Sequence, residues 1–262
     1  MSWDPAQYAK FSDLRLRPAL DLLARVPLDA LAASQQIVDL GCGSGNVTER
    51  IAARWPQAAI TGVDNSPEML AVARSKYPAM KYPTISWQLA DLDQWRATRP
   101  VELVYSNAAL HWLADHRSVF PRLLGQLAAG GVLAVQMPRN FGAPSHAICS
   151  ELAQLPRWRS ALGHLVKPAP VSEPAVYYDL LRPLVRALDI WETEYVQRLE
   201  GERPVLEWIK GTWLRPFLDC LSAAEGRAFE DAYAERVALA YVRRSDGVTL
   251  LPFRRLFMIA SV

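Results

Sequence analysis

The first 140 residues alternate between short apolar runs and segments whose apolar residues recur every three or four positions. Apolar runs of this kind predict strands, at residues 36–40, 59–64, 85–89, 101–106 and 132–137. Helices are predicted at residues 46–55, from the N-cap Ser66 onward, and at 118–127, where Gly130 and Gly131 should end the last helix. Strands that alternate with helices are typical of a doubly wound α/β fold with a parallel sheet.

The alternation breaks after Pro138. Residues 139–186 contain six prolines and predict irregular and helical structure. Beyond them, the pattern predicts a sixth strand at 189–197, two or three helices within 204–244, and a last strand at 250–262. The second half therefore carries helical insertions beside the strands that complete the sheet.

Composition and charge narrow the class of protein. The chain has 262 residues, 51% of them hydrophobic and 21% charged, which excludes a disordered or low-complexity protein. A net charge of +2 gives no general attraction to nucleic acid or to a membrane, so we expect neither as a partner. Three widely spaced cysteines and an N-terminus, MSWDPAQYAK, without signal-peptide features favour a cytoplasmic location.

A glycine cluster, GCGSG at residues 41–45, links the first predicted strand to the helix that follows it. Glycine allows a sharp turn and a close approach of the backbone to a ligand, here at the carboxyl end of the sheet. The second strand ends at Asp64, and an acid about 20 residues beyond such a loop is placed to bind ribose hydroxyls. The spacing is G-x-G-x-G after Asp39, whereas the NAD fingerprint is G-x-G-x-x-G.

This loop and its acids resemble motif I of the class I methyltransferases that use S-adenosylmethionine. The resemblance implies that the glycine loop packs against the methionine part of the cofactor, that Asp39 lies near its ammonium group, and that Asp64 holds the ribose. It places Asp91 and Leu92 beside the adenine and Asn107 beside the methionine part. The cofactor-binding residues it implies are Asp39, Gly41, Gly43, Gly45, Asp64, Asn65, Met69, Asp91, Leu92 and Asn107.

Longer stretches resemble one family within this group, the trans-aconitate 2-methyltransferases. They include RWPQAAITGVDNSPEML, SNAALHWLADH and GVLAVQMPRN, whereas residues 155–172 match nothing in that family. The resemblance implies a Rossmann-like, mostly parallel sheet with an antiparallel last strand and helical cap insertions. It implies a single domain with its core at about 31–140, 187–203 and 245–262, and a cap from 1–30, 141–186 and 204–244.

The implied activity is methyl transfer to a carboxylate of trans-aconitate, giving a monomethyl ester by in-line displacement. A carboxylate is ionised at pH 7, so positioning and desolvation are expected to suffice, with no general base, no catalytic residue and no metal. Arginine suits a tricarboxylate through bidentate hydrogen bonds, and aromatic residues would close the pocket. The candidate substrate-binding residues are Trp3, Tyr8, Arg17, His111, Trp112, Arg139, Tyr178, Arg215 and Arg255.

Other functions stay open at this point. The acceptor is alternatively another carboxylate, such as a malonyl group on a carrier protein, or an amine or a phenol. An NAD-dependent oxidoreductase and a non-catalytic protein that senses the cofactor are the alternatives outside this activity. We expect a monomer or a weak dimer.

Overall fold

The computed structural model describes residues 12–28 and 35–262. The helices of this part of the chain are α1 (Ser12–Arg25), α2 (Asn46–Arg54), α3 (Pro67–Lys76), α4 (His116–Leu124), α5 (Pro144–Ala153), α6 (Arg159–Leu162), α7 (Pro174–Leu181), α8 (Pro204–Lys210), α9 (Arg215–Asp219) and α10 (Ala223–Ala240). Short 3₁₀ turns occupy Leu110–Trp112, Gly163–Leu165 and Arg182–Leu184. The strands are β1 (Gln36–Leu40), β2 (Ala59–Asp64), β3 (Ile85–Leu89), β4 (Val101–Asn107), β5 (Leu127–Pro138), β6 (Ala187–Leu199) and β7 (Thr249–Ser261).

The strands form one seven-stranded sheet in the order β3-β2-β1-β4-β5-β7-β6. The first five strands in this order pair in parallel, and β7 pairs antiparallel with β5. The predicted fold class, a mostly parallel doubly wound sheet with an antiparallel last strand, is confirmed. The carboxyl ends of β1 to β5 therefore meet at one edge of the sheet, where open α/β sheets bind their ligands.

The end of α4 and the start of β5 differ from the prediction. The helix predicted at 118–127 spans His116–Leu124, and Asp115 caps it by accepting hydrogen bonds from the backbone N–H groups of Arg117 and Ser118. Gly130 and Gly131 lie inside β5 and do not end a helix. A Cβ on Gly131 would lie 2.8 Å from the carbonyl oxygen of Ala128 and 3.1 Å from that of Val101, so the irregular start of β5 favours glycine there.

The chain divides into two compact units. The sheet unit comprises the described residues within 15–138, 170–193 and 255–262, and the helical unit comprises 12–14, 139–169 and 194–254. Within the sheet unit, β1, β4 and the second half of β5 are almost wholly buried. Within the helical unit, Phe229 of α10 stacks on Phe217 and meets Trp158 edge to face. Each unit therefore has an apolar core of its own.

Among the described residues, no helix is long and apolar enough to cross a membrane.

Candidate functional site

The glycine loop between β1 and α2 turns through three left-handed glycines. Gly41, Gly43 and Gly45 have φ angles of +83°, +54° and +83°. The N–H groups of Gly41 and Cys42 both donate to the carbonyl oxygen of Val63 at the end of β2, at 2.8 and 3.0 Å. These bonds fix the loop against the carboxyl end of β2, and left-handed backbone of this kind favours glycine over any other residue.

The three glycines face different surroundings. A Cβ on Gly41 would lie 2.1 Å from the Cβ of Ala109, and one on Gly45 would lie 2.5 Å from the ring of Trp87. A Cβ on Gly43 would meet no atom of the described residues within 4 Å. The loop is therefore closed by protein at its two ends and open at its centre, where the backbone of Gly43 is accessible to a ligand.

Asp64, the acid that ends β2, is hydrogen-bonded to the loop. Its Oδ2 accepts from the N–H of Gly43 at 2.8 Å, and its Oδ1 accepts from the N–H of Ser66 at 2.9 Å. Ser66 in turn caps α3 by accepting from the N–H of Met69, which confirms the predicted N-cap. Since each carboxylate oxygen can accept two hydrogen bonds, Asp64 keeps acceptor capacity for hydroxyl groups of a ligand.

Asp39, on β1, is a buried acid with a raised pKa. Its side chain is only 2% exposed, and Oδ2 accepts a hydrogen bond of 2.6 Å from the hydroxyl of Thr48 on α2. Burial raises the pKa of Asp39 to about 7; the Thr48 hydrogen bond opposes this rise and the charge of Asp64 adds to it. A cation placed beside Asp39 would favour its ionised form and bind through it.

The remaining predicted cofactor residues near β2 and β3 follow the same edge of the sheet. Asn65 is exposed directly after β2, and Met69 is buried on α3. Asp91 is exposed after β3, whereas Leu92 next to it is buried, and the guanidinium of Arg122 donates to the carbonyl oxygen of Leu92 at 3.3 Å. This bond ties the turn after β3 to α4.

The end of β4 carries strained backbone and unpaired polar groups. Within the described part of the chain, the buried Oδ1 of Asn107 has no hydrogen-bond partner. Ala108 follows it with a φ of +52°, the left-handed region that is unfavourable for alanine, and its N–H donates to the carbonyl oxygen of Gln136 at 2.9 Å. Strained backbone and unsatisfied polar atoms of this kind concentrate at ligand sites.

His111 and Trp112 lie in the 3₁₀ turn that follows β4, with ring centroids 4.6 Å apart. His116 holds this turn, because its Nε2 lies 2.9 Å from the carbonyl oxygen of Leu110 and must donate to it. Its Nδ1 then accepts from the hydroxyl of Tyr177 at 2.7 Å. Burial lowers the pKa of His116, which favours the neutral ring that this pattern requires.

The predicted arginines are distributed over both units. Arg17, which is exposed, and Arg255, which is buried, belong to the sheet unit. Arg139 and Arg215 belong to the helical unit, where Arg215 pairs with Asp219 at 2.8 Å. Tyr178 is exposed on α7 in the sheet unit.

Trp3 and Tyr8 lie outside the described residues.

Three residues at this edge were not among the predicted ones: Thr48, Trp87 and Gln136. Thr48 lies on the buried face of α2, and a hydroxyl residue on a buried helix face was the available signal. Gln136 is a wholly buried polar residue inside the apolar run of β5, which was a visible break in the pattern. Trp87 had no such signal, because its contacts with Gly45 and Gly62 exist only in the folded sheet.

The three cysteines differ in their accessibility. Cys42 in the glycine loop and Cys149 on α5 are buried, and Cys220 is exposed. Burial raises the pKa of both buried thiols, and for Cys42 the charges of Asp39 and Asp64 add to this effect. Cys42 is therefore an unreactive part of the loop.

No group of three or more histidine, cysteine or acidic side chains in the described ranges is arranged to hold a metal ion.

Comparison with known proteins identifies the family. Residues 37–131 match the family model described as a methyltransferase domain. A trans-aconitate 2-methyltransferase of Azoarcus sp. (strain BH72) is 46% identical over 259 residues, which covers 99% of this chain and 98% of the relative. The chain belongs to the trans-aconitate 2-methyltransferase family. Another member, from Streptomyces avermitilis, is 46% identical over 261 residues. The alignment covers 99% of this chain and 96% of that relative.

More distant structures share the fold with this member of the trans-aconitate 2-methyltransferase family. A putative methyltransferase from Bacillus halodurans C-125 superposes with a TM-score of 0.57 at 14% identity, covering 94% of this chain and 98% of that one. Phosphoethanolamine N-methyltransferase 2 of Haemonchus contortus, in complex with S-adenosyl-L-methionine, has a TM-score of 0.55 at 17% identity. The superposition covers 93% of this chain and 52% of that one. The resemblance inferred from motif I and from the longer stretches is confirmed at the level of the family.

Proposed function

We propose that the protein transfers a methyl group from S-adenosylmethionine to a carboxylate of trans-aconitate, giving the monomethyl ester. The observation that carries this proposal is the full-length similarity to trans-aconitate 2-methyltransferases at about 45% identity. Similarity that extends over both units, and not over the glycine-loop half alone, supports the acceptor as well as the cofactor.

The residues at the carboxyl edge of the sheet fit S-adenosylmethionine. Among the described residues, Gly43 leaves open space beside the loop and the Oδ1 of Asn107 is an unpaired acceptor, while Asp64 has spare acceptor capacity for ribose hydroxyls. Asp39 offers a buried carboxylate to an ammonium group. We assign the ribose to Asp64, the ammonium group to Asp39 and Asn107, and the adenine to the turn at Asp91 and Leu92.

When bound, the cofactor supplies an electrophilic methyl group on a sulfonium. The tasks of this chain are to hold an acceptor oxygen in line with that group and to exclude water. Because the acceptor carboxylate is already ionised at neutral pH, it needs no general base. Orientation of this kind lowers a barrier by about 7–11 kcal/mol, and removal of water from the carboxylate adds to its reactivity.

The arginine candidates are proposed to bind the carboxylates of the acceptor. Arg215 and Arg139 are the candidates of the helical unit, and Arg255 and Arg17 are those of the sheet unit. Planar guanidinium groups match carboxylates bidentately, which suits an acceptor with three of them. The aromatic residues Trp112 and Tyr178 are proposed to cover the acceptor.

The test uses the purified full-length chain. Calorimetric titration should show binding of S-adenosylhomocysteine and none of NADH, which separates the methyltransferase from the oxidoreductase alternative. Labelled methyl transfer is then measured with trans-aconitate, cis-aconitate, citrate and isocitrate. Preferential transfer to trans-aconitate is expected, and transfer to none of the four acids would refute the proposal.

We further propose that the protein works in the cytoplasm as a monomer or a weak dimer. The near-neutral charge supports a small-molecule partner over nucleic acid or a membrane. Sedimentation velocity across a range of protein concentrations measures the oligomeric state, and a stable higher oligomer would contradict this part.

A further inference from the structure

Gln136, near the carboxyl end of β5, is buried without hydrogen bonds from its side chain. It is 0% exposed, and within the described part of the chain neither Oε1 nor Nε2 has a partner. An unsatisfied buried polar group destabilises the folded state. The neighbours of Gln136 on β5, from Val132 to Met137, are apolar, and an apolar residue in its place would avoid that cost. A buried polar side chain without a partner is therefore a candidate for binding a ligand.

A second unpaired amide lies directly beside it. Gln136 is the register partner of Asn107 on β4, whose Oδ1 is also buried and unpaired among the described residues. Residues opposite each other on neighbouring strands present their side chains to the same face of the sheet, about 5 Å apart. Ala108, with its left-handed backbone, donates to the carbonyl oxygen of Gln136 and ties the two strand ends together. Among the described residues, these unpaired groups therefore form one polar patch near the carboxyl ends of β4 and β5.

The strand order fixes where this patch lies relative to the cofactor residues. Along the sheet edge, Asp91 follows β3, Asp64 ends β2, the glycine loop follows β1 and Asn107 ends β4. A cofactor that extends from adenine at β3 to its methionine part at β1 and β4 has its reactive end directed toward β5. Gln136 lies two strand spacings, about 10 Å, from β1 on that side.

We propose that Gln136 is the specificity-determining residue that binds the reacting carboxylate of the acceptor through its Nε2–H. This inference rests on the proposed function and names the contact at its reactive end. Since Gln136 has no exposed surface, the acceptor reaches it only when the side chains that cover it move aside.

A neutral amide suits the carboxylate that is to be methylated better than an arginine does. Methylation converts that carboxylate into a neutral ester, so a full positive charge beside it would stabilise the reactant more than the transition state. An amide N–H orients the oxygen with a smaller bias toward the charged reactant. The arginines are then left for the carboxylates that keep their charge, and the position of Gln136 selects which carboxylate reacts.

The test compares Gln136→Met with Gln197→Met in the full-length protein. Gln197 is another buried strand glutamine, and we place it in no site. Loss of a hydrogen bond to a charged group predicts a fall in kcat/KM for trans-aconitate of about 10- to 100-fold in Gln136→Met. Its melting temperature should not fall, its affinity for S-adenosylhomocysteine should be unchanged, and NMR of the product should show a mixture of monoesters where the wild type gives one. Gln197→Met should retain the wild-type kcat/KM and the single product.

A second variant, Gln136→Glu, is tested by the pH dependence of its kcat/KM, which a purely structural role of Gln136 would not change. Its carboxylate repels the acceptor only when ionised, so its deficit in kcat/KM should grow between about pH 6 and pH 9, while that of Gln136→Met stays constant. Unchanged kcat/KM and product in Gln136→Met would overturn the assignment, as would an equal loss of cofactor affinity. A wild type that methylates none of the acids refutes the proposed function itself, before any variant is compared.

Discussion

Thr48 donates its hydroxyl hydrogen to Oδ2 of Asp39 across 2.6 Å, and both side chains are buried. This bond is the main interaction that keeps the raised pKa of Asp39 from rising further. Thr48 thereby helps to set the pH at which Asp39 carries the negative charge that we assign to the binding of an ammonium group.

Thr48→Val should move the pH dependence of cofactor binding. In the wild type, affinity for S-adenosylhomocysteine should fall as the pH drops through about 7, because Asp39 then takes up a proton. Loss of the hydroxyl destabilises the ionised carboxylate, so the fall should begin at a higher pH in the variant. Calorimetric titration at several pH values measures this, and Thr48→Ser, which keeps the hydroxyl, should behave as the wild type. Identical profiles for the valine and serine variants would contradict the role of Thr48.

Asp39 should also make the ligand-free protein less stable as the pH rises. Its folded pKa of about 7 lies above the ordinary 3.8, so the folded state holds the proton more tightly than the unfolded chain does. The resulting stability is complete below about pH 3.8, declines as the pH rises from there to about 7, and is absent above about 7. At 1.36 kcal/mol per pKa unit the whole effect is on the order of 4 kcal/mol.

Asp39→Asn should remove most of the pH dependence of the folding stability and should be more stable than the wild type at about pH 8. Urea unfolding of both proteins from about pH 5 to pH 8 tests it. Parallel stability curves for the two proteins would show that burial of Asp39 does not raise its pKa in the folded state.

Gly43→Ala and Gly41→Ala should separate ligand binding from folding. A methyl group at Gly43 meets no atom in the part of the chain that the structure describes, so the stability loss should be limited to the left-handed backbone, about 1–2 kcal/mol. At Gly41 the methyl group also collides with Ala109, and the loss of unfolding free energy should be larger. Gly43→Ala should nevertheless lose affinity for S-adenosylhomocysteine, because the open space beside the loop is where we place the ligand. A Gly43→Ala protein that binds as the wild type does would place the ligand elsewhere.

Arg215→Ala should lower kcat/KM for the acceptor without a large change in stability. The side chains of Arg215 and Asp219 are 45% and 47% exposed, and a pair this exposed contributes about 1 kcal/mol or less. Affinity for S-adenosylhomocysteine should be unchanged. Arg203→Ala is the matched control, since Arg203 and Asp231 form a pair of similar exposure that we place in no site. Equal losses of kcat/KM in both variants would indicate a general effect of charge and not a contact of Arg215.

The sheet could be predicted where the local pattern decides the structure. β1, β2 and β3 have the predicted bounds, because apolar runs there are closed by glycine, acidic or proline residues. The start of β5 could not be predicted in the same way. Leu127 pairs with Val101, and the register then shifts before Leu103 pairs with Val132. That irregular pairing is a tertiary effect, and the local sequence around Gly130 and Gly131 equally suits the end of a helix.

The residues of the candidate site also differ in whether the sequence alone could identify them. Asp39, Asp64 and the three glycines were identifiable because their spacing along the chain is itself the motif. Gln136 was not, since the role that we propose for it depends on its lack of side-chain partners among the described residues and on its register with Asn107. Pairing of Arg215 with Asp219 follows from their spacing on one helix, whereas no sequence pattern shows which unit carries which arginine.

The contrast between the buried and exposed cysteines makes the protein easy to label at one position. A maleimide at neutral pH reacts with thiolates, and Cys42 and Cys149 are shielded and hold their protons. Cys220 is open to solvent in the helical unit. A fluorophore can therefore be attached to the natural sequence at Cys220 alone, with no cysteine replaced, and its emission then reports from the helical unit while ligand is added.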